Sequence, residues 1–226
     1  QDLDDFCELL SSGKNVITVV GYMYPKVYGE AVVNRLEDAC RQGNVSFHST
    51  GLNPGWMGDL LPMYLSALCE RVDLIHVQEV SRFDGFPSAE IMFDSMGFNA
   101  TPDEYASKIK GRKKWLDGLF SESVQMVADG LDMGVTEVAS SLETVLAEED
   151  LNVAAGTVRK GTVAGQHWRW SGLADGEEVV VHETVWRIHR DVAPDWPSGN
   201  NWIRLKGRPN IDFEIKSNFG FLDESG

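Results

Sequence analysis

The sequence predicts an α/β protein in two parts, a short parallel sheet followed by an α+β unit whose sheet is mainly antiparallel. Three observations predict it. Helix and strand patterns alternate through roughly the first eighty residues with short Gly-marked joints, the apolar period changes from near 3.6 to 2 after Asp150, and two strand pairs beyond that point enclose turn sequences.

Leu3, Phe6, Leu9 and Leu10 recur at helical spacing over residues 2–12, behind an acidic first turn of Asp2, Asp4 and Asp5, and Gly13-Lys14 closes the helix. Val16 to Val20 form a continuous run rich in β-branched residues, the pattern of a strand covered on both faces. Residues 30–42 place Val33, Leu36 and Cys40 on one helical face and stop at Gly43, and residues 45–49 give another short strand. Residues 59–71 carry Leu61, Leu65, Leu68 and Val72 at helical steps, with Pro62 tolerable in the first turn, and 73–80 form the next strand. Residues 81–101 lack a clean period, and Phe83, Phe86, Phe93 and Phe98 there suit a core, a pocket or a subunit contact. Two amphipathic helices are predicted next, one through Leu119, Val124, Val127 and Leu131, the other through Val138, Leu142 and Val145. Strands at 163–170 and 179–188 then make a hairpin about Ala174-Asp175-Gly176, and 202–205 pairs with 211–215 around Gly207-Arg208-Pro209.

With 226 residues, 42% of them hydrophobic and 24% charged, the composition is that of a globular chain. A formal charge of −15 argues against a nucleic-acid or anionic-membrane surface, because phosphate binding needs clustered Lys and Arg. Cys7, Cys40 and Cys69 are odd in number, lack C-x-x-C spacing and sit among apolar residues, which predicts buried, reduced thiols and a cytoplasmic protein. No apolar run approaches the ~18 residues of a membrane span. No His, Cys, Asp or Glu cluster has metal-ligand spacing, so no metal site is predicted, and no G-x-S-x-G marks a serine hydrolase.

Parallel sheets bind ligands outside the carboxyl ends of their strands, which singles out two loops, Gly21-Tyr22-Met23-Tyr24-Pro25 and Thr50 to Met57. No G-x-G-x-x-G occurs, so this segment alone offers a pyrophosphate no glycine-rich turn. The strings GKNVITVVGYMYP (residues 13–25) and STGLNPGWMGDLLP (residues 49–62) resemble the corresponding part of dihydrodipicolinate reductase-like oxidoreductases, nearest the branch of 2,4-diaminopentanoate and amine dehydrogenases. The resemblance implies the remnant of a parallel Rossmann-type sheet, residues 1–58, as the C-terminal part of a dinucleotide-binding domain. Residues 59–226 then form a catalytic and dimerisation α+β domain. A chain opening on Gln1 with a helix already under way fits a truncated nucleotide-binding part.

The resemblance places Tyr24, Pro25, Asn53, Pro54 and Gly55 beside the nicotinamide of NAD or NADP and a small-molecule substrate. An Asn amide can bond a carboxamide and Gly permits close backbone approach, although Asn53-Pro54-Gly55 also reads as a plain turn. The implied activity is hydride transfer to or from a small carbonyl, imine or activated C=C group, in a homodimer. The alternative is a non-catalytic binding or scaffold protein on the same fold. That branch carries acidic residues just before its Tyr-Pro; here the stretch is Val20-Gly21-Tyr22-Met23, without a carboxylate, so an amine dehydrogenase mechanism is not implied.

Two residues are candidates for proton transfer. Glu183, on a predicted strand beside Trp residues, gains a raised pKa if partly buried, and its competing role is an ion pair with Arg169 or Arg187. His48, shortly before the Asn53 loop, is either a proton donor or a core histidine. Alternation puts His167 and Arg169 on one face of their strand, with Trp168 and Trp170 on the other.

Overall fold

The acidic first turn and the Gly13 stop produce helix α1 (Asp2–Ser11), and the computed structural model describes residues 2–216 of the chain. Strand β1 (Val16–Thr18) pairs in parallel with β2 (Phe47–Ser49), and helix α2 (Glu30–Gly43) lies between them in sequence, ended by Asn44 in the left-handed conformation. These elements share a small core of Leu10, Val16, Leu36 and Ala39. The run 16–20 predicts a strand covered on both faces, but among the described residues only one face is covered. Val16 is buried, while Ile17 and Val19 are 76% and 68% exposed.

Helix α3 (Leu60–Ser66) is shorter than its apolar spacing predicts, and Leu68 beyond it is exposed. The alternating pattern also ends one strand early. Strand β3 (Arg71–Arg82) leaves the small parallel pair and enters a six-stranded sheet. That sheet is completed by β4 (Glu137–Leu146), β7 (Val163–Ala174), β8 (Glu177–Arg187), β9 (Asn201–Arg208) and β10 (Ile211–Ile215), in the order β10-β9-β3-β8-β7-β4. Among the described residues its only parallel pair is β3 with β8. A small hairpin of β5 (Leu151–Val153) and β6 (Gly156–Val158) stands apart from it.

The second predicted amphipathic helix is strand β4, paired antiparallel with β7. Val138 and Leu142 are four residues apart, an even step that fits a strand's period of 2 as well as a helix's, whereas Val145, an odd step further along an unbroken register, falls on the opposite face. The first predicted helix is real and longer, α4 (Pro102–Gly130). Thr101 and Glu104 form a reciprocal cap and Pro102 occupies the first turn, which fixes the start of α4.

Helix α4 lies on the sheet face that carries Trp168 and Trp170. Phe120 stacks on Trp170 with centroids 4.1 Å apart, and Trp170 stacks in turn on Trp168 at 5.6 Å. A Cβ at Gly172 would stand 2.8 Å from Val124 Cγ1, so close packing of helix on sheet requires glycine there. The three cysteines are free and half-buried, and no described helix is long and apolar enough to cross a membrane.

Candidate functional site

Both loops singled out in the sequence hang from adjacent residues of α4. Glu122, fully buried, accepts the backbone N–H groups of Tyr22 and Tyr24 at 2.9 and 2.8 Å and the Tyr28 hydroxyl at 2.6 Å. Burial and that hydrogen bond hold the Tyr28 phenol well above its usual pKa. The next residue, Ser123, donates to Asp59 Oδ2 at 2.8 Å. Asp59 accepts the Gly55 N–H at 2.7 Å through the same oxygen and caps α3 by accepting the Leu60 N–H. The turn over residues 53–59 is thereby tied to α4 through Asp59 and Ser123, and its Asn53-Pro54 bond is cis.

Two clefts flank this loop and divide the predicted residues between them. One, of about 280 Å³, is lined by Pro25, His48 and Gly55 together with Tyr22, Phe47 and Met126. His48 is exposed rather than a core histidine. The other, of about 370 Å³, is lined by Asn53 and Pro54 together with Leu52, Met57, Glu79, Ser81, Phe83, Leu119 and Trp186. Tyr24 lines neither, because its hydroxyl donates to Asp129 at 2.5 Å.

The second cleft holds a carboxylate absent from the sequence-based candidates. Glu79, near the carboxyl end of β3, accepts from Asn53 Nδ2 at 2.5 Å on one oxygen, and from Trp186 Nε1 at 2.8 Å and Ser81 Oγ at 3.0 Å on the other. A carboxylate only accepts, so the Asn53 amide must turn its NH2 towards Glu79. The Asn53 oxygen then points inward, buried and without a hydrogen-bond partner, next to Gly58. Asn53 thus positions Glu79, and its oxygen is not presented to a ligand. Glu79 was legible in principle, as the one acidic side chain near the carboxyl end of a predicted strand.

Behind the loop, His182 is fully buried against Phe120 and Trp170, with neither ring nitrogen hydrogen-bonded. Burial, with a smaller contribution from His76, pushes its pKa down to about 3. A Cβ at Gly58 would lie 2.2 Å from His182 Cε1 and 2.7 Å from Asn53 Oδ1, so only glycine lets the loop seat on the sheet.

Glu183 requires a correction. His182 faces α4, so its neighbour in the strand points to the opposite face of the sheet, and Glu183 lines neither cleft. It is held between His167 Nε2 at 2.5 Å and His76 Nε2 at 2.8 Å. Burial pushes its pKa up, but the hydrogen bonds and charges of the two histidines outweigh burial and hold it far below the usual carboxylate range. The raised pKa that made it a proton-transfer candidate is therefore reversed. The ion-pair reading is nearer, with Arg169 at 3.9 Å, although that guanidinium chiefly engages Glu178.

A sequence model of the 2,4-diaminopentanoate dehydrogenase C-terminal domain matches residues 56–220. The chain is 25% identical over 186 residues to the amine dehydrogenase of Streptomyces virginiae, covering 79% of this chain and 51% of that protein. It is 27% identical over 200 residues to the 2,4-diaminopentanoate dehydrogenase of Acetoanaerobium sticklandii, covering 88% of this chain and 56% of that protein. The chain therefore spans about half the length of the curated relatives it matches. Among solved structures, the amine dehydrogenase from Mycobacterium smegmatis superposes with a TM-score of 0.70 at 16% identity, covering 95% of this chain and 62% of that one, which establishes the shared fold.

Proposed function

The chain belongs to the 2,4-diaminopentanoate dehydrogenase C-terminal domain family, and from that premise we propose that it is the substrate-side part of an NAD(P)-dependent oxidoreductase. The reaction is hydride transfer to or from a small carbonyl, imine or activated C=C group. In this reading residues 1–58 belong to the nucleotide-binding unit and 59–226 to a catalytic unit that forms a homodimer in the cytoplasm. The observation that carries the reading is the cleft beneath the Asn53 loop. It lies near the carboxyl end of β3 and combines apolar walls with a single carboxylate.

The residues present fit one end of the cofactor. Val19 and Leu52 at the mouth of the cleft are 68% and 44% exposed, an apolar platform for a flat ring. They would hold the nicotinamide with Pro54, while no G-x-G-x-x-G in the sequence fits the pyrophosphate. When bound, the nicotinamide supplies or accepts the hydride. The protein's part is to seat the substrate: Phe83, Leu119 and Met57 exclude water from the inner cleft, and Glu79 orients the polar end of the substrate by accepting from it.

The test is an NMR titration with reduced nicotinamide mononucleotide, which lacks the adenylate half. Saturable shifts of the Val19 and Leu52 amides are expected, and their absence would overturn the reading. The missing carboxylate before Tyr24 favours a second reading, a binding protein without catalysis. Turnover of any ketone, imine or amine with NADH, NADPH or their oxidised forms excludes it.

A further inference from the structure

Two buried polar groups face each other in the seam behind the Asn53 loop, and neither has a hydrogen-bond partner. One is Asn53 Oδ1, turned inward because the NH2 of the same amide serves Glu79. The other is the His182 ring, unpaired at both nitrogens. A Cβ at Gly58 would lie 2.7 Å from Asn53 Oδ1 and 2.9 Å from His182 Nδ1, so both atoms converge on the bare side of one glycine. Phe120 and Trp170 make T-shaped contacts with the ring, at centroid distances of 4.8 and 6.4 Å, and enclose it in apolar surface. That burial keeps the imidazole neutral, its pKa pushed down to about 3, and a neutral imidazole carries one N–H donor and one acceptor. With the proton on Nε2, the Nδ1 lone pair would face the lone pairs of the Asn53 oxygen. With the proton on Nδ1, a donor meets an orphaned acceptor. A buried donor and acceptor left apart each keep their desolvation cost, and one bond between them removes both.

From this geometry we propose that His182 is a positioning residue of the site: its Nδ1–H donates to Asn53 Oδ1 beside Gly58 and thereby holds the amide with its NH2 on Glu79. The bond forms by an inward settling of residues 53–58, which Gly58 permits because it puts no side chain between the two groups. Asn53 is then fixed at both ends, and turning its amide over would break both bonds and set its oxygen against the carboxylate. Asp59 and Ser123 already tie the far end of the same turn to α4, so the turn is held from the helix at one point and from β8 at another. His182 lines neither cleft and acts only through Asn53. The use to which the oriented Glu79 is put rests on the reading of this cleft as the substrate site, whereas the bond itself is a property of the chain without ligand.

The test uses the full chain without ligand. Long-range proton–nitrogen NMR of the imidazole ring at neutral pH, assigned through the His182 backbone, reports which nitrogen carries the proton. The Nδ1–H tautomer is expected, and the Nε2–H tautomer overturns the proposal. His182→Gln and His182→Met then separate a donor from a space-filler, since the two side chains have nearly the same length and only Gln can donate. Solvent exchange of the Asn53 side-chain NH2 should be about tenfold faster in His182→Met than in His182→Gln, the effect of one lost hydrogen bond. A ring that merely filled the core would leave the two variants alike, and equal exchange overturns the proposal. If His182→Met does not fold, the wild-type tautomer decides. The nicotinamide titration is independent of these outcomes, so its failure would count against the oxidoreductase reading and leave the His182–Asn53 bond standing.

Discussion

The N-terminal layer and the six-stranded sheet are held together by different means. The layer encloses four buried apolar side chains and leaves Ile17, Val19 and Val20 exposed. The sheet and α4 enclose a continuous core in which Trp168, Trp170, Phe98 and Ile188 are at or near zero exposure. What ties the layer to the sheet near the clefts is polar: Glu122 grips the 20s loop, and Ser123 with Asp59 grips the 50s loop. Burial therefore supplies the stability of one region, and hydrogen bonds supply the geometry of the other. A site at the junction borrows rigidity from the core without being part of it.

The largest expected effect tests the sheet side of this contrast. Trp170→Ala removes the ring sandwiched between Phe120 and Trp168 and should cost about 3–5 kcal/mol in denaturant unfolding. A loss below about 1 kcal/mol would mean that the core is not where stability resides. Gly58→Ala strikes the seam, since its methyl would meet His182 and Asn53. Overpacking of this kind costs about 1–3 kcal/mol, and the variant should also displace the Asn53 side-chain NH2 resonance.

Acid provides a third measurement. The His182 pKa is depressed in the folded protein, so its stabilising contribution is complete above the ordinary histidine pKa of 6.5 and declines as pH falls towards about 3. The unfolded chain binds the extra proton in that window, giving a slope of at most about 1.4 kcal/mol per pH unit. Glu183, also depressed, adds to the loss below its ordinary pKa of 4.5. His182→Gln should flatten the upper part of the curve, and an unchanged curve would show that His182 does not carry it. The smallest effect belongs to the layer. Ile17→Ser, at a position 76% exposed, should stay within about 0.5 kcal/mol of the wild type by thermal melt.

The same contrast explains what the sequence revealed. The hairpin at Asp175-Gly176 and the alternation of Trp168 and Trp170 with His167 and Arg169 were readable because local chemistry and period agree there. Strand β4 misleads because Val138 and Leu142 fall at a step common to both periods, and β3 misleads because pairing partners lie far away in sequence. The two loops could be located from strand ends and the family strings. The setting of the candidate residues could not, because the Asn53 amide is turned by Glu79 of β3, and Glu183 is gripped by His76 of β3 as well as by His167 of its own hairpin.

The pair Glu122 and Ser123 also limits how the chain can change in length. Neighbouring residues on a helix point about 100° apart, so one turn of α4 sets the angle between the two loops. A single residue inserted between the cap at Thr101 and Glu122 would rotate both anchors away from their loops by that same angle, and a deletion would do so in the opposite sense. Insertions and deletions in this stretch are then tolerable only in steps of about seven residues, two full turns, whereas the connections at the far end of the sheet carry no such rule.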